Sequence, residues 1–265
     1  MFDNYRVIDL TLTLDESLPC TWPGHMPFQK KNWTWYQKVE YLGETIRDSR
    51  CGPYFTEWLA LDEHVGTHFD APSHFIPQPN SGMPNAGPAG AITGEKIDLS
   101  KMMGEAVVID LTFLCGEGVN GESPYILRPH IQQWEEKYGE IHKGEIVLFY
   151  TGWDKYYVSG KEGKAYSYNA LVEKTGFGWP APNVDTIEYL YNKGVTCIGT
   201  DGASMGSAQN GAPVHIFGLS KELIYIEGLC QLNQLPARGS YFIFLPIKVA
   251  MSSGCPGRAI ALVKK

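Results

Sequence analysis

Three of the chain's seven histidines fall inside the eleven residues His64-Val65-Gly66-Thr67-His68-Phe69-Asp70-Ala71-Pro72-Ser73-His74. Imidazole and carboxylate are the ligands that zinc and its first-row neighbours prefer, so this segment is where a divalent ion would do chemistry. A fully extended backbone at ~3.3 Å per residue would hold His64 about 13 Å from His68, too far for one ion. A continuous helix would pair His64 with His68 but turn Asp70 to the opposite face. A site that uses all three therefore bends between 64 and 68 and runs extended from 68 to 70. Gly66 supplies the φ freedom for that bend, and Pro72 biases Ala71 away from helix. A purely structural ion is the ordinary alternative, but structural zinc usually closes its shell with cysteine, and this segment has none.

A second imidazole and carboxylate lie downstream, at His215 and Glu227. Glu227 ends an apolar run, so it is either exposed at a strand end or buried with a strong partner such as a metal. Gly202-Ala203-Ser204-Met205-Gly206 has the letters of a nucleophile elbow, but no helix-like sequence follows it directly, which argues against a serine hydrolase. No phosphate loop or dinucleotide fingerprint is present. His25, His130 and His142 read as surface residues.

The elements that must position these groups are mostly strands. Runs rich in Val, Ile, Phe or Tyr, bounded by Gly, Pro or Asp, predict strands over 6–12, 106–111, 145–150, 195–200, 223–226, 241–248 and 258–263. Several are almost continuously apolar, as strands covered on both faces are. Helices are expected from Pro129 to Tyr138, stopped by Gly139, and from Asn183, a ready N-cap, to Lys193, stopped by Gly194. The expectation is an α/β fold, strand-rich with few helices, forming a single mixed domain over residues 1–265. Long connections over 24–55, 77–94 and 154–182 are expected to be functional or to serve as oligomer arms.

A formal net charge of -7 argues against nucleic acid or an anionic membrane as partner. The acidic N-terminal stretch does not read as a signal peptide, and no apolar run approaches the ~18 residues needed to cross a bilayer. Six scattered cysteines with no C-x-x-C pair read as reduced thiols, so a cytoplasmic location is expected.

The segment from His64 to His74 resembles the hallmark H-x-G-T-H-x-D-x-P-x-H of the cyclase-like hydrolase family that includes bacterial kynurenine formamidase and isatin hydrolase. The match extends to Val7-Ile8-Asp9-Leu10, Thr21-Trp22-Pro23-Gly24, Thr151-Gly152-Trp153, Gly199-Thr200-Asp201 with Ser204, and the interval from His215 to Glu227. The resemblance implies a swivelling β/β/α fold and a homo-oligomer, dimer or tetramer. It implies that His64, His68 and Asp70 hold a first metal, that Asp70 bridges to a second held by His215, and that Glu227 touches one or both. His74 would be the acid/base residue and Trp22 would line the substrate pocket. The cofactor expected is zinc or manganese, one or two ions per subunit.

The expected activity is hydrolysis of a small amide or cyclic amide, an aryl formamide or an isatin-like ring, by attack of metal-bound hydroxide. His74 would carry protons between nucleophile and leaving group. A lactone hydrolase or cyclase, and a catalytically silent metal-binding protein of the same fold, are the alternatives. The sequence is longer than a typical kynurenine formamidase of the family, with extra length around Trp33, Trp35 and Tyr36, in 77–94 and in 156–179. The aromatic stretch is either pocket wall or interface.

Overall fold

Alternation decides which side of each strand is which. In Met103–Asp110, Ala106 and Val108 enter one buried cluster while Val107 and Ile109 enter another; Ile146–Tyr150 repeats this, with Ile146 and Leu148 on one side and Val147 and Phe149 on the other. These strands are apolar on both faces because both faces are covered, which is why their sequences lack a polar alternation. Each large aliphatic side chain so buried contributes about 1.5–3 kcal/mol.

The structure, a computed structural model, describes residues 4–265. Its main sheet has eight strands in the order Tyr5–Asp9, Gly254–Lys264, Ser240–Pro246, Met103–Asp110, Ile146–Tyr150, Cys197–Thr200, Ile224–Glu227, His68–Asp70. The four strands from Met103–Asp110 to Ile224–Glu227 run parallel to one another. The three-residue strand His68–Asp70 pairs antiparallel with Ile224–Glu227 on one edge and with the start of Gly254–Lys264 on the other. That double pairing closes seven strands into a barrel-like ring and leaves Tyr5–Asp9 laid against the far end of Gly254–Lys264. The expected mixed α/β, strand-rich architecture is what the chain adopts.

The ring's interior holds Leu10, Phe69, Phe242 and Phe244, among others. Its outer side is covered by three helices, α1 (Arg128–Tyr138), α2 (Val184–Asn192) and α3 (Ala212–Ser220), which contribute Ile131, Trp134, Ile187, Leu190, Val214 and Leu219 to the second cluster. Helix α1 starts with a proline in its first turn and stops at Gly139, whose φ is 89°. Helix α2 is capped by Asn183, whose side chain accepts from Thr186 N at 2.9 Å.

All three long connections depart from simple loops, and 77–94 carries the helical turn Pro88–Ala91. Residues 24–55 carry the strands Gln29–Thr34, which pairs with Thr56–Ala60, and Val39–Tyr41, which pairs with Glu44–Arg47. The 154–182 segment folds into short helical turns, Trp153–Tyr156, Glu162–Tyr166 and Asn169–Glu173, against the mouth of the ring. Among the described residues no helix is long and apolar enough to cross a membrane.

Candidate metal centre

The bend anticipated at Gly66 is present: its φ is 59°, in the left-handed region that glycine enters without strain. Its N–H donates to Cys20 O at 2.7 Å, and an added Cβ would lie 2.4 Å from the Leu14 side chain. Thr67 holds the next residue in place, accepting from Leu12 N at 2.8 Å and donating to Gly228 O. The chain then runs extended through His68, Phe69 and Asp70, all buried, and turns at Pro72–His74.

Glu227 ends its strand opposite His68 in the antiparallel register, and His215 reaches in from α3. Five side chains therefore converge. His64 Nδ1 is 2.9 Å from Asp70 Oδ1, and His68 Nε2 is 3.6 Å from Asp70 Oδ1 and 3.5 Å from Glu227 Oε2. His215 Nε2 is 3.1 Å from Glu227 Oε1 and 3.4 Å from Asp70 Oδ2. Asp70 Oδ2 is buried without a hydrogen-bond partner among the described residues.

The imidazoles are oriented from behind. His68 Nδ1 lies 2.9 Å from Gly66 O and His215 Nδ1 lies 2.9 Å from Gly211 O. A carbonyl only accepts, so each Nδ1 carries a proton and donates, and each Nε2 faces the carboxylates. Such a contact needs a positive charge between nitrogen and oxygen, a proton or a cation in its place. A divalent cation meets that demand. Donor atoms around a tetrahedral zinc at about 2.0–2.1 Å stand about 3.3 Å apart, the middle of the separations found here. The residues fit such an ion. Ligand atoms within 4.8 Å of one another form two triads that share Asp70, His64–Asp70–His74 and His68–Asp70–Glu227.

The titration behaviour follows the same charges. Burial works to lower His215, yet the Asp70 and Glu227 carboxylates beside it outweigh burial and raise it to about 10. Burial works to raise Asp70, and the imidazoles of His74, His215 and His64 together hold it well below the usual carboxylate range. Burial pushes His68 down. His74 is pushed down to about 4, chiefly by burial, with His64 and His215 adding to the effect. Its ring stacks on His64 at 3.9 Å between centroids, and among the described residues its ring nitrogens make no hydrogen bond.

His64, His68, His74, His215 and Glu227 form the floor of a cavity of about 350 Å³, with Asp70 buried behind them. Trp22 is in its wall, packed edge-on against Trp179 at 5.6 Å, and Phe75, Tyr157, Tyr166 and Leu171 complete its apolar part. Ser204 also lines it, but its hydroxyl donates to Glu227 Oε1 at 3.3 Å and no imidazole bonds to it, so the relay a nucleophilic serine needs is missing among the described residues.

The Cyclase family profile, described as "Putative cyclase", matches residues 8–207. The chain belongs to the Cyclase family. This cyclase-family chain is 35% identical over 221 residues to an isatin hydrolase of Roseibium aggregatum, covering 81% of this chain and 77% of that one. It is 28% identical to a kynurenine formamidase of Salinibacter ruber, with 96% of each chain covered. An isatin hydrolase structure holding the product analogue thioisatinate superposes with a TM-score of 0.78 at 26% identity, over 99% of this chain and 94% of that chain. An isatin hydrolase from Ralstonia solanacearum gives 0.77 at 26% identity, over 98% and 93%.

Of the seven residues singled out in the sequence, His64, His68, His74, His215, Glu227 and Trp22 line this one cavity of the cyclase-family chain, and Asp70 lies buried behind them against His64, His68 and His215. Sequence reasoning missed Phe75, Tyr157, Tyr166 and Leu171, which carry no pattern of their own; the length of the 154–182 segment was the only signal for three of them. His25, read as a surface residue, is exposed but lines the cavity, with Nδ1 3.2 Å from Asp62 Oδ1. Trp33, Trp35 and Tyr36 lie outside the cavity wall. Trp33 and Trp35 sit under Arg50 and Arg47 on the exposed hairpins.

Proposed function

We propose that this chain is a metal-dependent hydrolase of a small amide or cyclic amide, an aryl formamide or an isatin-like ring. The observation that carries the reading is the convergence of three imidazole nitrogens and two carboxylates at the floor of one aromatic-walled cavity. Its relatives named isatin hydrolase and kynurenine formamidase point to bonds of the same kind. His64, His68 and Asp70 serve as core ligands of a zinc or manganese centre of one or two ions, with His215 and Glu227 completing it. A bound divalent ion supplies a polarised carbonyl and a water of lowered pKa.

The chain's own residues supply the rest. Trp22, Phe75 and Tyr157 offer flat or apolar surface for a planar ring and shut out bulk water. His74 is neutral at ordinary pH because burial favours the uncharged ring, so it can take a proton from the attacking water. It then returns the proton to the leaving nitrogen. A second reading is favoured by the triad His64–Asp70–His74, in which His74 is itself a ligand. Metal content of the His74→Ala variant separates the two.

The chain works as one domain over residues 1–265, since its first described strand is stitched to its last. It is a homo-oligomer, a dimer or tetramer, and the support is the apolar surface left on the hairpin arm, where Leu42 is 87% and Tyr41 66% exposed. It resides in the cytoplasm, a reading supported by six free cysteines. Hydrolysis of isatin, an aryl formamide and a lactone, with and without chelator, tests the activity. Chelator-sensitive opening of the amides supports the proposal; turnover of the lactone alone selects the cyclase-type alternative, and none at all selects a silent metal-binding protein.

A further inference from the structure

His68 and His215 each lean on a backbone carbonyl, but His64 leans on a side chain. Its Nε2 lies 2.9 Å from Ser253 Oγ, in the turn that precedes the strand Gly254–Lys264. Ser253 Oγ in turn donates to Glu63 Oε2 at 2.6 Å, and Ser253 N donates to the same oxygen at 2.8 Å. A hydroxyl has one proton. Since a carboxylate oxygen only accepts, that proton points at Glu63, and the Ser253 oxygen has only lone pairs left for His64. The imidazole must therefore carry a proton on Nε2, and Nδ1 faces the Asp70 carboxylate, 2.9 Å from Oδ1, as the nitrogen that can exchange a proton for a cation.

The surrounding backbone is built to keep this contact close. Ala71 N donates to Ser253 O at 2.9 Å, tying the turn to the residue after Asp70. The next residue is Gly254, where a Cβ would lie 2.7 Å from His64 Cε1 and 2.2 Å from Phe69 O. Only a glycine lets the turn approach the ring this closely.

We propose that Glu63 and Ser253 are positioning residues that lock His64 with its proton on Nε2, so that Nδ1 is the nitrogen offered to the metal. The proposal rests on the reading of this cavity as a metal centre. Outer groups that orient a ligand in this way typically change metal affinity about 10- to 100-fold. Ser253→Ala and Glu63→Ala each weaken binding by that factor. Ser253→Thr keeps the hydroxyl and Glu63→Gln keeps an acceptor oxygen, so both bind nearly as the parent does.

The test is competition of Zn²⁺ between a chelator and each full-length variant, paired with thermal unfolding of the metal-free proteins to show that each variant folds. Nitrogen-15 NMR of the zinc-loaded, histidine-labelled protein adds a readout that general loosening would not give. The parent shows His64 protonated at Nε2 with Nδ1 bound, and Ser253→Ala loses the slowly exchanging Nε2 proton. If folded Ser253→Ala holds zinc as tightly as the parent, or if zinc is found on His64 Nε2, the proposal is overturned while the metal centre stands. If the parent itself takes up no zinc, both fail together.

Discussion

His68 and Glu227 face each other as registered partners across two antiparallel strands, with Nε2 3.5 Å from Oε2. The pairing that closes the barrel is thus the pairing that brings an imidazole from the first motif to a carboxylate 159 positions later in the numbering. Because a one-residue slip would send every side chain of a strand to the opposite face, the site and the closure of the ring stand or fall together.

Asp70 is shared by both triads and touches His64, His68 and His215. Asp70→Ala is expected to abolish stoichiometric metal binding and activity while leaving a folded protein. Elemental analysis after dialysis, with circular dichroism as the folding control, checks this.

His74→Ala is expected to keep its metal and lose turnover about 10²- to 10⁴-fold, the range for removal of a general acid/base. The paired measurement is metal per chain and kcat. Loss of metal from this variant would instead make His74 a ligand.

Metal removal should lower stability. An ion that binds only the folded chain adds about 2.7 kcal/mol when present at ~100 times its dissociation constant. Chelation is therefore expected to lower the melting temperature, and readdition of zinc or manganese to restore it. Calorimetry with and without chelator measures the shift, which Asp70→Ala should not show.

Away from the site, Glu135 accepts from Ile141 N at 2.8 Å and from Tyr189 Oη at 2.5 Å, and lies 2.9 Å from Lys193 Nζ. Burial works to raise its pKa, and these partners outweigh burial and lower it below 4.5. The folded chain therefore binds fewer protons there than the unfolded one. The resulting stability is fully present above about pH 4.5 and is lost as pH falls through the lower folded value. Glu135→Gln is expected to cost about 1–2 kcal/mol near neutrality, with the gap to the parent narrowing in acid. Urea unfolding across pH gives the comparison.

Gly254→Ala places a methyl group 2.2 Å from Phe69 O, against backbone that cannot swing away. Overpacking of this kind typically costs about 1–3 kcal/mol. The same methyl presses on His64, so the variant should lose metal affinity as well as stability, seen in denaturant titration and zinc competition.

The sequence made the central part of this legible because the chemistry was local. His64 to His74 lie on one short stretch, and Gly66 announced the bend it now makes. The buried strands and helices α1 and α2 were readable from apolar runs and from Asn183, Gly139 and Gly194. Helix α3 was not, because Ala212–Ser220 is apolar all round and has no amphipathic period to detect. The ring's closure was also hidden. It depends on a three-residue strand whose two partners lie far away in sequence, and three residues are too few to show a pattern. The aromatic stretch could be read two ways, and only the folded hairpins place Trp33 and Trp35 away from the cavity.

The most direct test is the metal content of the purified, dialysed chain, set against its chelator-sensitive hydrolysis of isatin or an aryl formamide. The account predicts at least one divalent ion per chain, amide turnover that vanishes on chelation, and neither in Asp70→Ala. A metal-free chain that hydrolyses these amides at full rate would contradict it.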